Sequence, residues 1–321
     1  MSEEPVPVAV VGAGNMGSNH IRVYDQLPGA DLVEVVEPDA ERAATVRDEY
    51  DVRIVDSVAE LRSARAATVA VPNVLHREVA RECAERGLDI LVEKPLAMTL
   101  ADARSIVEVA EANDVVLQTG HIERFNPAIR TLSTILDDED VIAIEAHRLG
   151  PFNEHLTEES VVFDLMIHDL DIIDTLVAGE IGYADAVGSA SRSRELDHAI
   201  ATFKFEDGTL ATATSSHVTH GKVRQLQVTT RNAYISLDYQ EQGITIQRRG
   251  TERTMNLFEK GGYRTETVAE TPFVRTREPL KNELEHFLSC VRDRSVPEVD
   301  GADGLRAVEL ASEVIDRIGT H

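Results

Sequence analysis

The chain is poor in several things, and each shortage removes a class of protein. Its 321 residues include two cysteines, Cys83 and Cys290. Far apart and without Cys-x-x-Cys spacing, they exclude a disulfide framework and a cysteine zinc site. No apolar run reaches the roughly 20 residues a bilayer requires. The acidic start, Met-Ser-Glu-Glu-Pro, runs straight into an apolar strand. Neither a signal peptide nor a membrane partner is therefore expected, and the expected compartment is the cytoplasm. Internal repeats and low-complexity tracts are absent. Lysine is the scarcest charge, with Lys94, Lys204, Lys222, Lys260 and Lys281 the only five among 32 basic residues. Against them stand 57 Asp and Glu, a net charge of −25. Such a field repels nucleic acid and anionic membranes. We read it as the surface of a halophilic protein, working at high salt where screening removes self-repulsion.

What is present begins with Val8-Ala-Val-Val-Gly-Ala-Gly-Asn-Met-Gly17. A short β-branched run reads as a buried strand, and Gly12-x-Gly14-x-x-Gly17 has the spacing of a sharp strand-to-helix turn. Gly12 permits the turn, Gly14 lets a pyrophosphate approach the backbone, and Gly17 lets helix close on strand. The helix start, with Asn15 and Met16, offers free N–H groups and a partial positive charge to phosphates. A second strand, Leu32–Val36, ends on Glu37, where a dinucleotide fold holds the adenosine ribose hydroxyls. Glu37 favours NAD and repels a 2′-phosphate; Arg42, one helical turn on, leaves NADP possible.

Strands and helices then alternate to residue 119: helices 39–50, 75–86 and 100–113, and strands 66–71, 89–92 and 115–119. Continuous apolar strands in that alternation predict a doubly wound parallel sheet covered on both faces, hence an α/β class. Beyond residue 120 long strands with polar alternation dominate (199–205, 209–217, 223–230, 233–239). They predict an α+β domain with a large, mainly antiparallel sheet. One helix interrupts them, Val161–Ala178, and two close the chain, Pro279–Arg292 and Gly301–Ile318. Residues 251–278 read as an irregular excursion. The expected domains are 1–120 and 121–321. Too few helices remain to cover both sheet faces, so a homodimer or homotetramer through the open face is expected.

Helix 161–178 is mostly apolar yet carries Asp164, His168, Asp169, Asp171 and Asp174. At regular helical spacing Asp164, His168 and Asp171 share a face and Asp169 points away. Three readings stay open: a solvated Asp164–His168 pair, a metal site, or an acid–base pair in which the carboxylate orients the imidazole. Lys94 stands where a parallel strand ends, the edge at which open α/β sheets bind ligands. Pro95 restricts it to an extended conformation and admits a cis peptide.

These residues resemble the glucose–fructose oxidoreductase/inositol dehydrogenase (Gfo/Idh/MocA) superfamily. The resemblance rests on Gly12–Gly17, Pro72-Asn-Val-Leu-His76, Glu93-Lys-Pro95, Asp164-Leu-Met-Ile-His-Asp169 and Glu278-Pro-Leu-Lys-Asn-Glu-Leu284. It implies an N-terminal Rossmann domain and oxidation of a sugar or polyol hydroxyl by a nicotinamide cofactor. It also implies catalytic positions at Lys94, Asp164 and His168, with His168 the base, Lys94 polarising the oxygen and Asp164 holding the pair in geometry. Pro72, Asn73, His76 and Glu93 match positions lining the nicotinamide half, and no metal is implied. Glu37 stands where the family more often has Asp. Gly120-His-Ile-Glu-Arg-Phe-Asn-Pro127 is similar to the version in dehydrogenases of the UDP-N-acetylglucosamine 3-hydroxyl. Arg124, Asn126, Arg148 and Asp169 are taken as substrate contacts, with Arg124 alternatively tying the interdomain joint. The alternatives are a free-sugar, inositol or sugar-phosphate dehydrogenase, and a non-catalytic dinucleotide-binding regulator.

Overall fold

The computed structural model describes residues 4–152, 159–177, 179–249, 253–255, 262–264 and 267–319. It divides into two compact units, Met1–Phe125 with Arg277–Ser312, and Asn126–Thr276 with Glu313–His321.

The first unit is built on strands β1 (Val6–Val11), β2 (Ala30–Val36), β3 (Arg53–Val55), β4 (Ala66–Val69), β5 (Asp89–Glu93) and β6 (Leu117–Gly120). All pair in parallel in the order β3-β2-β1-β4-β5-β6, the doubly wound arrangement the alternation predicts. Helices α1 (Asn15–Gln26), α2 (Ala40–Glu49), α3 (His76–Glu85) and α4 (Leu100–Ala112) connect them. Asp39 caps α2 by accepting the N–H groups of Glu41 and Arg42, and Thr99 caps α4 through Asp102.

The unit boundary corrects the sequence-based division. Residues 277–312 belong with the first unit rather than to a continuous 121–321 domain. The cause is α7 (Pro279–Asp293), whose apolar stripe Leu280, Leu284, Phe287, Leu288 and Val291 joins one core with Val6, Val8, Val10 and Ile21. Burying each such side chain stabilises by about 1.5–3 kcal/mol, so the helix has a strong reason to return to the sheet. Periodicity marks the stripe but cannot say which sheet receives it.

The second unit opens with α5 (Pro127–Leu136), a helix the sequence reading did not identify, started by Asn126 as N-cap and Pro127 at its first position. Its sheet comprises β7 (Val141–Leu149), β8 (Ile181–Ser189), β9 (His198–Phe205), β10 (Leu210–Ser216), β11 (Val223–Thr230), β12 (Ala233–Asp238) and β13 (Gly243–Arg249). A ribbon of β14 (Arg253–Met255) and β15 (Gly262–Arg264) follows, and β16 (Thr267–Glu270) pairs with β13. The eight-stranded sheet runs β16-β13-β12-β11-β7-β10-β9-β8, antiparallel throughout except for β7 with β10. The rest of the expected excursion at 251–278 lies partly outside the described residues.

Strand alternation is clean. In β9, Ala199, Ala201, Phe203 and Phe205 are buried while the residues between them face outward. The expected helix at 161–178 begins as a π-helical turn, Val162–Met166, and continues as α6 (Ile167–Leu176); its expected last residue, Ala178, lies outside the described residues. Among the described residues no helix is long and apolar enough to cross a membrane. Helix α8 (Gly301–Gly319) closes the chain.

Candidate functional site

In the first unit the candidate groups gather at the carboxyl ends of β1, β2, β4 and β5. Gly12 has φ +94°, and a Cβ there would lie 2.7 Å from the Ala70 carbonyl oxygen. A Cβ on Gly17 would sit 1.8 Å from the Gly12 oxygen. Both positions therefore exclude any side chain, for backbone conformation and for helix–strand closure respectively. At Gly14 a Cβ would meet nothing within 4 Å. That open space lies at the N-cap of α1, whose first turn carries no acidic residue. The loop thus fits a dinucleotide pyrophosphate on the helix N-terminus.

Glu37 is buried beside this loop, 2% exposed. Its Oε2 accepts the Ala13 N–H at 2.9 Å and Arg42 Nε–H at 3.0 Å; Oε1 accepts the Asp39 N–H at 2.8 Å and Arg42 at 3.0 Å. Burial alone raises the pKa of a carboxyl, but these donors outweigh it and hold Glu37 below the usual range. The carboxylate is therefore a fixed anion at the end of β2, with two donors on each oxygen. Arg42, the NADP-compatible cation of the sequence reading, is held by Glu37 itself.

At the end of β5, Lys94 is half-buried and joined to Pro95 by a cis peptide. Its backbone N–H donates to Glu93 Oε2 at 3.2 Å. Glu93 Oε1 accepts from His20 Nε2 at 2.7 Å. Burial opposes the Glu93 charge, but the His20 bond and the nearby Lys94 charge hold its carboxyl below the ordinary value. His20, fully buried on α1, is a partner the sequence reading missed; it lies on the inward face of the helix that follows the glycine loop.

His76 is fully buried, with Nδ1 2.9 Å from the Pro95 oxygen and Nε2 3.0 Å from the Val71 oxygen. Burial lowers its pKa, so it is neutral with one N–H and donates to one of the two carbonyls. It ties the loop after β4 to the turn after Lys94. Pro72 is exposed and Asn73 half-exposed on the adjoining loop, next to the exposed Val74 and Leu75.

The Arg124–Pro127 motif spans the unit boundary. Arg124 pairs with Asp303 at 3.0 Å, and Phe125 packs against His286, both within the first unit. Asn126 caps α5 and donates to the Tyr239 oxygen at 3.1 Å within the second.

In the second unit Asp164 and His168 are both half-buried on the π-turn and α6. The i→i+5 turn is wider than a regular helical turn, so plain helical spacing does not describe how the two are displayed. Asp164 Oδ2 lies 2.9 Å from Nε2 of His217, just past the end of β10. His217 is 5% exposed. No local signal in the sequence joins it to Asp164, since the two are brought together by packing of the π-turn on β10. Asp169 and Arg148, both taken as substrate contacts, are buried against each other. Arg148 Nε reaches both Asp169 oxygens at 3.1 Å and its other nitrogen reaches Oδ1 at 2.9 Å. The guanidinium also lies over the Tyr239 ring at 4.9 Å. This pair braces β7 against α6, and removing one member of such a pair costs about 3–5 kcal/mol. Among the described residues no three His, Cys, Asp or Glu side chains converge as metal ligands do.

Comparison with known proteins places these features in context. Residues 6–121 match the profile described as "Oxidoreductase family, NAD-binding Rossmann fold", and residues 140–236 match the "GFO/IDH/MocA C-terminal domain". The chain is 31% identical over 306 residues to UDP-N-acetylglucosamine 3-dehydrogenase of Acidithiobacillus ferrooxidans, covering 95% of each chain. A solved structure of that enzyme superposes with a TM-score of 0.88 at 28% identity, over 99% of both chains. The scyllo-inositol 2-dehydrogenase (NAD(+)) of Bacillus subtilis is 26% identical over 330 residues, 96% of this chain and 92% of that one.

Proposed function

We propose, from the premise that this chain belongs to the Gfo/Idh/MocA oxidoreductase family, that it is an NAD-dependent dehydrogenase of a nucleotide-sugar hydroxyl. The 3-hydroxyl of UDP-N-acetylglucosamine is the leading substrate. The observation that carries this reading is the end-to-end similarity to a UDP-N-acetylglucosamine 3-dehydrogenase, 95% of both chains.

A bound nicotinamide dinucleotide supplies the hydride acceptor. The glycine loop and α1 would hold its pyrophosphate, and Glu37 would accept from its adenosine ribose where Arg42 gives up its bonds. His168 accepts the hydroxyl proton, because hydride leaves carbon only as that proton departs. Lys94 donates to the oxygen on which charge develops. Asp164 fixes the imidazole. Relatives that act on inositol favour a second substrate class, free polyols. A regulator that only binds dinucleotide has no use for a proton acceptor, and Lys94, Asp164 and His168 are all present.

The outward face of the second sheet carries Tyr183, Val187, Ile200, Leu210 and Tyr234, each at least one-third exposed. That apolar face supports assembly of a homodimer or homotetramer through it. The test of function is NADH absorbance with a panel of nucleotide sugars, free sugars and inositols in molar KCl. His168→Ala should lower kcat by about 10²- to 10⁴-fold on the responding substrate. Binding of NAD without turnover of any panel member would support the regulator instead.

A further inference from the structure

We infer that His217 is a positioning residue of the proton-transfer site, acting through Asp164; this rests on the reading of His168 as the base. The contact is 2.9 Å between Nε2 and Oδ2, with side chains 6% and 19% exposed, so it is no solvated surface pair. An ionised carboxylate only accepts hydrogen bonds, so Nε2 carries the proton and donates it. A bond of this charge-assisted kind, shielded from water, holds the carboxylate in one orientation.

The backbone shows why the pair meets. The His217 N–H donates to the Asp197 carbonyl at 2.8 Å, and the Val161 N–H donates to the Leu196 carbonyl at 2.8 Å. Two consecutive residues therefore hold both the strand end that bears His217 and the start of the turn that bears Asp164. That segment is itself pinned. Asp197 is fully buried, and its carboxylate accepts the N–H groups of Ser191 and Ser193 at 2.9 and 3.2 Å, the Ser191 hydroxyl at 3.0 Å and the Arg192 N–H. Burial opposes its charge, yet these donors keep its pKa below the ordinary value. On the other side, Asp164 sits at the middle of the Val162–Met166 π-turn, a local widening that recurs at functional sites. The Asp164 carboxylate is thus held by His217, with the backbones that carry both residues tied to one segment. Its remaining purpose, in this reading, is to set the orientation of His168.

The experiment compares His217→Leu, His217→Gln and His217→Asn in the full chain, with His168→Ala and Asp164→Asn alongside. Glutamine places an amide N–H near the position of Nε2; asparagine is too short to do so. His217→Leu should lower kcat by about 10- to 100-fold, with NAD affinity within about two-fold of wild type. His217→Gln should recover most of that loss, and His217→Asn should not. The double variant Asp164→Asn with His217→Leu should be no slower than the worse single variant, because both remove one interaction. If His217→Leu fails to fold, the glutamine–asparagine contrast decides alone. Equal rates for those two, or multiplicative losses in the double variant, overturn the assignment. Wild-type turnover in His168→Ala overturns instead the reading on which it rests.

Discussion

Replacing Glu283 by glutamine should make the protein more stable, and increasingly so as pH rises. Glu283 lies on α7 with no measurable exposure, and neither carboxyl oxygen has a hydrogen-bond partner. Burial, and then the charge of Glu93, push its pKa well above the ordinary value. Glu93 is the member that stays ionised, because His20 and the Lys94 N–H serve its carboxylate. The folded first unit therefore carries a proton on Glu283 that the unfolded chain loses near pH 4.5. For a group whose folded pKa is raised, the stabilising contribution is complete below the unfolded value and is lost as pH climbs through the folded value. One proton corresponds to about 1.4 kcal/mol per pH unit inside that window. Groups that do not interact with Glu283, His76 among them, cancel in the difference. Above pH 4.5, over the range in which the folded chain keeps that proton, Glu283→Gln should thus gain on wild type by up to about 1.4 kcal/mol per pH unit. At roughly 2–4 °C per kcal/mol, several degrees of Tm would follow. The chain has no tryptophan, so urea unfolding is best followed by far-UV circular dichroism at fixed KCl. A stability difference that stays constant from pH 5.5 to 7.5 would refute a protonated Glu283.

Three further expectations are independent of this one. Glu37→Ser, which releases Arg42, should move the ratio of kcat/KM for NAD over NADP toward NADP by at least about tenfold, roughly 1.4 kcal/mol. Comparable efficiencies with both cofactors in the wild type would mean that Glu37 does not decide. With a net charge of −25, lowering KCl from molar to millimolar lengthens the screening distance from about 3 Å toward 30 Å and should lower Tm. A melting curve insensitive to KCl would remove the high-salt reading. Lys94→Met, nearly isosteric and uncharged, should depress kcat while NAD affinity, measured by cofactor fluorescence, stays within a few-fold. An unchanged kcat would take Lys94 out of the mechanism.

What the amino-acid sequence determined by itself is local. The strand–glycine–helix unit at 8–26, the parallel α/β alternation, Glu37 at the end of β2 and Lys94 at the end of β5 all follow from short-range rules. Turn chemistry, capping and the two hydrophobic periods act between residues a few positions apart. The hairpin between β9 and β10 is equally local, with Gly208 taking φ +94° in a turn of a few residues. Tertiary structure decided what periodicity leaves open, namely against what each buried face packs. It returned α7 to the first unit, where Glu283 faces Glu93. It joined Arg148 to Asp169 across 21 positions, and Asp164 to His217 across 53. A carboxylate on a helix declares its need for a donor through the cost of burial. Which donor answers depends on the strand that the chain, folding over long separations, lays beside it.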